Sequence, residues 1–193
     1  MEGVTSPELM LYDFLSWYRY ISQDQGLAYQ LIETLRDVLP GFDHFRLETH
    51  QQVYRSLQVF FDIGDGQHVF SYAFDELSDG QRMLIMLYTL LHVNQSDAEQ
   101  QYVLCVDEPE NFISLPEIQP WLIELYDRCN EGKLQALLIS HHPELLNYLL
   151  ESPGGYWFER QNNGPTRLKP VQIDSDSGLS ISELVARGWL VNE

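Results

Sequence analysis

Positive charge is scarce in this chain: 11 Lys and Arg residues stand against 29 Asp and Glu among 193, a formal net charge of −18. Nucleic-acid affinity rests mainly on Lys and Arg neutralising phosphates, and no basic run occurs, so direct nucleic-acid binding without a partner is not expected. Cysteine is equally sparse. Cys105 and Cys129 supply neither a disulfide framework nor a metal motif, and Cys105, inside an apolar run, reads as a small buried core residue. No apolar stretch approaches the ~20 residues of a membrane-spanning helix. The opening MEGVTSPELM is acidic where a secretory leader is basic. Internal repeats and low-complexity segments are also missing. The expectation is a cytoplasmic protein with no membrane contact, long enough for one domain with a real core. Its hydrophobic fraction of 44% and charged fraction of 21% are ordinary for that class.

What is present alternates between strand and helix patterns. Residues 9–22 are apolar and aromatic at mixed spacing, suiting a helix or a packed loop. Leu27, Leu31, Leu35 and Val38 fall at helical spacing, and Pro40-Gly41 stops that helix. Residues 53–61 and 67–74 are β-branched and aromatic around Asp62-Ile63-Gly64-Asp65-Gly66, which predicts an antiparallel hairpin. Gly80 to Val93 predicts a helix buried nearly all round. A polar loop over 94–101 leads to Tyr102–Val106, a short apolar run suited to a buried parallel strand. A helix is predicted around Gln119–Cys129 with Pro120 in its first turn, ended by Asn130-Glu131-Gly132. A second buried strand follows over Leu134–Ile139, and a helix opens at Pro143. This order argues for βαβ units on a parallel sheet. Beyond a turn at Pro153-Gly154-Gly155, residues 156–159 and 166–170 suit an edge hairpin around Asn162-Asn163-Gly164, and 180–187 a short helix.

Three segments carry chemistry. Leu77-Ser78-Asp79-Gly80-Gln81 stands directly before the buried helix. Unpaired N–H groups at a helix N-terminus bind anions, a serine hydroxyl adds a donor, and glycine permits close approach. The same residues equally describe a plain helix cap. Next, the Tyr102–Val106 strand delivers Asp107-Glu108-Pro109-Glu110-Asn111 at its carboxyl end, where α/β folds bind ligands. Asp107 could hold Mg²⁺ mostly through water and Glu108 could orient or deprotonate an attacking water; the alternative is an acidic surface turn. Finally, Leu137-Leu138-Ile139 runs into Ser140-His141-His142-Pro143-Glu144. A histidine there could touch a γ-phosphate, could suggest a metal, or could be structural; with no companion cluster among six histidines, the metal is disfavoured.

Together the three match one family in order and context. Leu77–Gln81 resembles the signature loop of ABC-type ATPases, Tyr102–Glu108 their Walker B strand, and Ser140-His141 their switch-histidine loop. Asp107–Asn111 and Ser140–Leu145 look most like the non-transporter branch, with its DNA-repair, chromosome-maintenance and AAA-type defence ATPases, often encoded beside a nuclease. The resemblance is strong over residues 74–149. It implies that Ser78, Gly80 and Gln81 bind the γ-phosphate of an ATP held by an opposing protomer. It further implies that Asp107 positions Mg²⁺, Glu108 is the catalytic base, and His141 rather than His142 senses the γ-phosphate. The segment 112–115 departs from the commonest form of the family's dimer-contacting loop.

One motif of such a head is missing. The sequence contains no Gly-x-x-x-x-Gly-Lys-Ser/Thr, the loop whose N–H groups and lysine cradle the β- and γ-phosphates. Gly132-Lys133 continues into Leu134, and the glutamine loop of the phosphate-binding half is not identifiable. The expected fold is therefore α/β, a partial P-loop-NTPase-like head with a mostly parallel sheet and an N-terminal antiparallel hairpin. It is taken as a single unit over 1–193: helices and hairpin to 76, motif core over 77–150, C-terminal hairpin and tail over 151–193. The function implied is ATP hydrolysis with Mg²⁺ in partnership with a P-loop-bearing half or second ATPase protomer, coupled to DNA processing, repair or defence, with the isolated chain inactive. A nuclease is a further candidate partner. The alternative is a non-catalytic module that docks on a nuclease or a complete ATPase.

Overall fold

The computed structural model describes residues 14–50, 54–62, 64, 69–93, 103–149, 155–171 and 183. The chain divides into two compact units, one of Met1–Cys105 and Asn111–Leu137, the other of Val106–Glu110 and Leu138–Glu193. The predicted loop at 94–101, the turn residues 153 and 154, and the helix over 180–187 apart from Glu183 lie outside the described residues.

In the first unit, α1 (Phe14–Ile21) and α2 (Gln25–Val38) present apolar faces at helical spacing. Asp24 caps α2, its carboxylate accepting the N–H groups of Gly26 (2.9 Å) and Leu27 (3.1 Å). At its other end the Leu39 N–H reaches back to the Leu35 carbonyl, and Gly41 turns the chain at a φ of +77°. A nine-residue strand that the sequence patterning leaves unassigned, β1 (Phe42–His50), follows. It pairs antiparallel with β2 (Tyr54–Asp62), which pairs in turn with β3 (Val69–Ala73), so the predicted hairpin is part of a three-stranded sheet. The strand is hard to see because its register shifts between Phe42 and His44. In a regular strand, residues three apart face opposite sides. The bulge brings both Phe42 and Phe45 into the core with ring centroids 4.8 Å apart. Phe14 on Phe74 (4.5 Å) and Tyr18 on Phe45 (4.7 Å) extend this aromatic packing.

The helix α3 (Asp79–Val93) is buried nearly all round as its sequence demands, with no exposed residue from Gly80 onward. Helix α4 (Leu115–Asn130) starts four residues earlier than expected, at a capping pair in which the Glu117 carboxylate accepts from the N–H (3.2 Å) and hydroxyl (2.6 Å) of Ser114. Pro116, not Pro120, occupies the first turn. Pro120 lies inside the helix, where it is exposed and removes a single N–H from the ladder. From α4, the Trp121 indole N–H donates to the Leu87 carbonyl (3.0 Å), and Arg128 bonds the Leu91 carbonyl while ion-pairing with Glu124.

The strands β4 (Val103–Asp107) and β5 (Gln135–Ile139) flank α4 in sequence and pair in parallel, giving the expected βαβ order. Their burial is not as predicted. Leu104 is buried, and Val106, Ala136 and Leu138 are half-buried, whereas Val103 (55%), Leu137 (55%) and Ile139 (62%) are exposed. A continuous apolar run predicts burial on both faces, but here one face is open. Cys105 lies on that open face and is exposed, which corrects its assignment as a core residue.

In the second unit, α5 (Pro143–Leu149) buries Leu145, and β6 (Tyr156–Glu159) pairs antiparallel with β7 (Arg167–Pro170) as the predicted edge hairpin. Asn162 takes the left-handed turn position at φ +52°. Among the described residues, no helix is long and apolar enough to cross a membrane.

His92, in the last turn of α3, makes the stability of this fold sensitive to pH. Its Nδ1 lies 2.9 Å from the Tyr88 carbonyl and its Nε2 3.0 Å from the Thr34 hydroxyl. A carbonyl only accepts, so Nδ1 carries the proton and a neutral Nε2 accepts from Thr34. Burial holds the His92 pKa below its ordinary value, outweighing the Tyr88 hydrogen bond, and nearby Arg128 pushes the same way. The unfolded chain therefore takes up a proton, at its ordinary pKa of ~6.5, more readily than the folded one. His92 contributes stability that is complete above that value and is lost as pH falls through the depressed folded pKa. Urea denaturation from about pH 8 to about pH 5 should show this loss, and His92→Gln should flatten it; an identical profile in the variant would sink the assignment.

Candidate functional site

The first candidate segment sits at the start of α3. Ser78 is exposed and precedes the helix, with the Arg82 N–H bonded to its carbonyl (3.0 Å). Its Oγ accepts the Gln81 N–H (3.2 Å) and donates to Gln81 Oε1 (3.1 Å), which also accepts the Ser78 N–H (3.1 Å). This is a reciprocal capping box built from Ser78 and Gln81. Asp79 and Arg82 pair one turn apart. Gly80 has a packing reason to lack a side chain: a Cβ built there would meet the Phe112 carbonyl oxygen at 2.8 Å. The three residues assigned to nucleotide contact thus also have local structural work, which sequence alone left as an alternative.

The second and third segments meet in the other unit, at the carboxyl ends of β4 and β5. Asp107, the last residue of β4, is exposed. Glu108 then adopts a φ of +47°, a region that costs a non-glycine residue about 1–2 kcal/mol. Its N–H is held by the Ile139 carbonyl at 2.8 Å, a bond between the ends of the two strands. With the backbone so turned, Glu108 Oε1 lies 2.7 Å from His141 Nδ1; the His141 side chain is 73% exposed and that of Glu108 37%. An ionised carboxylate only accepts, so His141 donates through Nδ1. The residue chosen on its position after Ser140 is the one that touches the candidate base. His142 is half-buried and its carbonyl accepts the Leu146 N–H (3.2 Å), so it starts α5.

Glu110 and Ser140 also shape this corner. Glu110 is buried although it lies in a run that reads as an acidic surface turn, and one of its oxygens accepts the Ser140 hydroxyl. Ser140 Oγ in turn accepts the His142 N–H at 3.0 Å. The short 3-10 turn at Pro109–Asn111 folds Glu110 inward. No sequence signal other than its spacing of two from Glu108 marks it.

Among the described residues no group of three or more metal-ligating side chains is assembled, so a divalent cation at this corner would have few protein ligands. An exposed Asp107 carboxylate at the strand end is the kind of single protein ligand that a largely hydrated Mg²⁺ takes beside substrate phosphates. Asp107 would hold that ion, whose charge would offset that of the phosphates. Glu108 and His141 form an exposed acceptor–donor pair able to orient a water and meet a phosphate oxygen.

Comparison with known proteins bears on most of the chain. The family model described as "AAA domain, putative AbiEii toxin, Type IV TA system" matches residues 21–147. No curated protein matches. Among solved structures, the chain is similar to one described under "Structural biochemistry of ATP-driven dimerization and DNA stimulated activation of SMC ATPases". The TM-score is 0.59 at 10% identity, covering 91% of this chain and 98% of that one. It is similar also to the Smc head domain with a coiled coil and joint from Pyrococcus yayanosii, with a TM-score of 0.56 at 12% identity. That match covers 91% of this chain and 31% of the larger one. At these identities the likeness is one of fold: an SMC-head-like α/β arrangement with a parallel sheet and an antiparallel hairpin.

The packing at the start of α3 is open to test by substitution. Gly80→Ala should lower the melting temperature, because a clash with a backbone carbonyl costs about 1–3 kcal/mol and the helix propensity of Ala returns less than ~1 kcal/mol. Ser78→Ala should cost about 1 kcal/mol through loss of the cap. A Gly80→Ala protein that melts like the parent would mean that the start of α3 and the Phe112 backbone do not approach as described.

Proposed function

This chain belongs to the AAA-domain family matched over residues 21–147, and on that premise we propose that it is the signature and Walker B half of an ATPase head. In this proposal Asp107 holds Mg²⁺, Glu108 is the general base for the attacking water, and His141 contacts the γ-phosphate. Ser78, Gly80 and Gln81 face a nucleotide carried by an opposing head. The observation that carries the reading is the 2.7 Å contact of His141 with Glu108 at adjacent strand ends. It places a proton donor and a carboxylate together where α/β folds bind ligands. Catalysis of phosphoryl transfer is mostly positioning and charge stabilisation, which such a corner can supply.

The β- and γ-phosphates need a grip that this sequence lacks, so the P-loop comes from the rest of the protein or from another chain. The solved structure described for ATP-driven dimerisation of SMC ATPases supports an output of the same kind, two heads closing on ATP and parting on hydrolysis. The whole chain, 1–193, then acts as one partial head with its motif core at 77–150. It works in the cytoplasm, beside a DNA-processing, repair or defence partner such as a nuclease. A second reading, a non-catalytic docking module, is favoured by one observation: Ser78 and Gly80 already serve the cap and the packing of α3.

ATP turnover with Mg²⁺ separates the two. The chain alone should be silent, and its complex with a P-loop-bearing partner should turn over ATP, with Glu108→Gln lowering the rate by about 10²–10⁴-fold. Turnover by the isolated chain would overturn the half-site. A complex indifferent to Glu108→Gln would leave only the docking reading.

A further inference from the structure

We propose that Glu110 is a positioning residue that, through Ser140, holds His141 in register with Glu108. The inference rests on the roles proposed above for Glu108 and His141. Glu110 is buried, and its second oxygen finds no hydrogen-bond partner among the described residues. Removing a carboxylate from water without full compensation is costly, so its one described bond, from the Ser140 hydroxyl, strongly specifies geometry. That bond consumes the single proton of Ser140. The lone pairs of Ser140 Oγ then remain for the His142 N–H, which they accept at 3.0 Å.

The chain is held on either side of His141. Behind it, the Ile139 carbonyl holds the Glu108 N–H at 2.8 Å; ahead of it, Ser140 holds His142. Glu110 lies two residues after Glu108, so one short segment, 108–110, grips the 139–142 segment at its backbone and at its serine. Between those two grips the exposed His141 ring meets Glu108 Oε1 at 2.7 Å. Left to itself, a side chain this exposed would lose rotamer freedom to hold one contact, and exposed pairs are worth little on their own. A turn clamped on both sides removes much of that cost, because the ring is presented rather than recruited. Glu110 touches neither water nor phosphate in this scheme and acts only through Ser140.

The proton on His141 provides a readout that stability alone would not move. A neutral imidazole in water favours the Nε2–H form, whereas donation to Glu108 requires Nδ1–H. Long-range ¹H–¹⁵N spectra of the ¹⁵N-histidine-labelled chain at about pH 9, above the ordinary imidazole range of ~6.5, report the tautomer without nucleotide. His141→Gln identifies the signal. The parent and Glu110→Gln, whose amide carbonyl still accepts from Ser140, should show Nδ1–H. Glu108→Ala, Glu110→Ala and Ser140→Ala should lose it in favour of Nε2–H. A folded Glu110→Ala chain, or a folded Ser140→Ala chain should Glu110→Ala fail to fold, that keeps Nδ1–H would overturn the proposal, as would a parent lacking it. The ATPase reading fails separately: tautomers that respond as expected, in a chain that no P-loop partner makes active, would leave the positioning role standing and remove the catalysis.

Discussion

The backbone carbonyls of α3 hold the first unit together. A helix spends most of its carbonyls on its own ladder, and several in the second half of α3 accept a further donor. Leu87 accepts the Trp121 indole and Leu91 accepts Arg128, both from α4. Tyr88 accepts His92, whose other nitrogen reaches Thr34 on α2. Because α3 is buried nearly all round, the polar groups that pack on it are largely cut off from water, and each is satisfied by a particular partner. Apolar burial brings α2, α3 and α4 together, and these hydrogen bonds fix their rotation. At the opposite end, Gly80 lets the chain following β4 approach within backbone contact. The helix that begins at the Ser78–Gln81 cap is therefore tied to its neighbours at both ends.

The strand ends are organised differently. The geometry of the corner comes from backbone turns that a few polar groups stabilise. A left-handed Glu108 would be unfavourable alone, yet its N–H is satisfied across the sheet by Ile139. Pro109 ends the strand, the next turn buries Glu110, and Ser140 links that carboxylate to the His142 N–H. Acidic residues are concentrated here in a protein already rich in negative charge, and one of them is buried. Such a corner favours a proton-donating or cationic neighbour, and the one observed is the His141 ring on Glu108.

Much of this was legible in the sequence. The α2 stop at Pro40-Gly41, the hairpin of β2 and β3, the apolar α3 and the βαβ order follow from patterns only a few residues long, and local physics governs such patterns. The ring that contacts Glu108 is His141, directly after the strand-ending serine, rather than His142. The misses share a cause, dependence on what lies opposite. A bulge that puts Phe42 and Phe45 on one side hides β1 from an alternation test. Apolar runs at Val103 and Leu137 predict burial, yet no sequence pattern states whether a covering layer is supplied, and Cys105 was misplaced for that reason. The early start of α4 was missed because Pro120 resembles a first-turn proline; the Ser114–Glu117 spacing held the better signal.

The cap at the start of α3 has a consequence for affinity. Ser78 does not wait with an idle hydroxyl. Its donor and acceptor are both engaged with Gln81, whose amide oxygen covers the Ser78 N–H as well. Any anion that takes those donors enters an exchange equilibrium with the Gln81 side chain, which must rotate away as the anion arrives. The affinity for an anion there, on the proposed nucleotide role, would be a difference between two occupancies of the same N–H and O–H groups. Gln81, as the internal competitor, sets the zero of that scale.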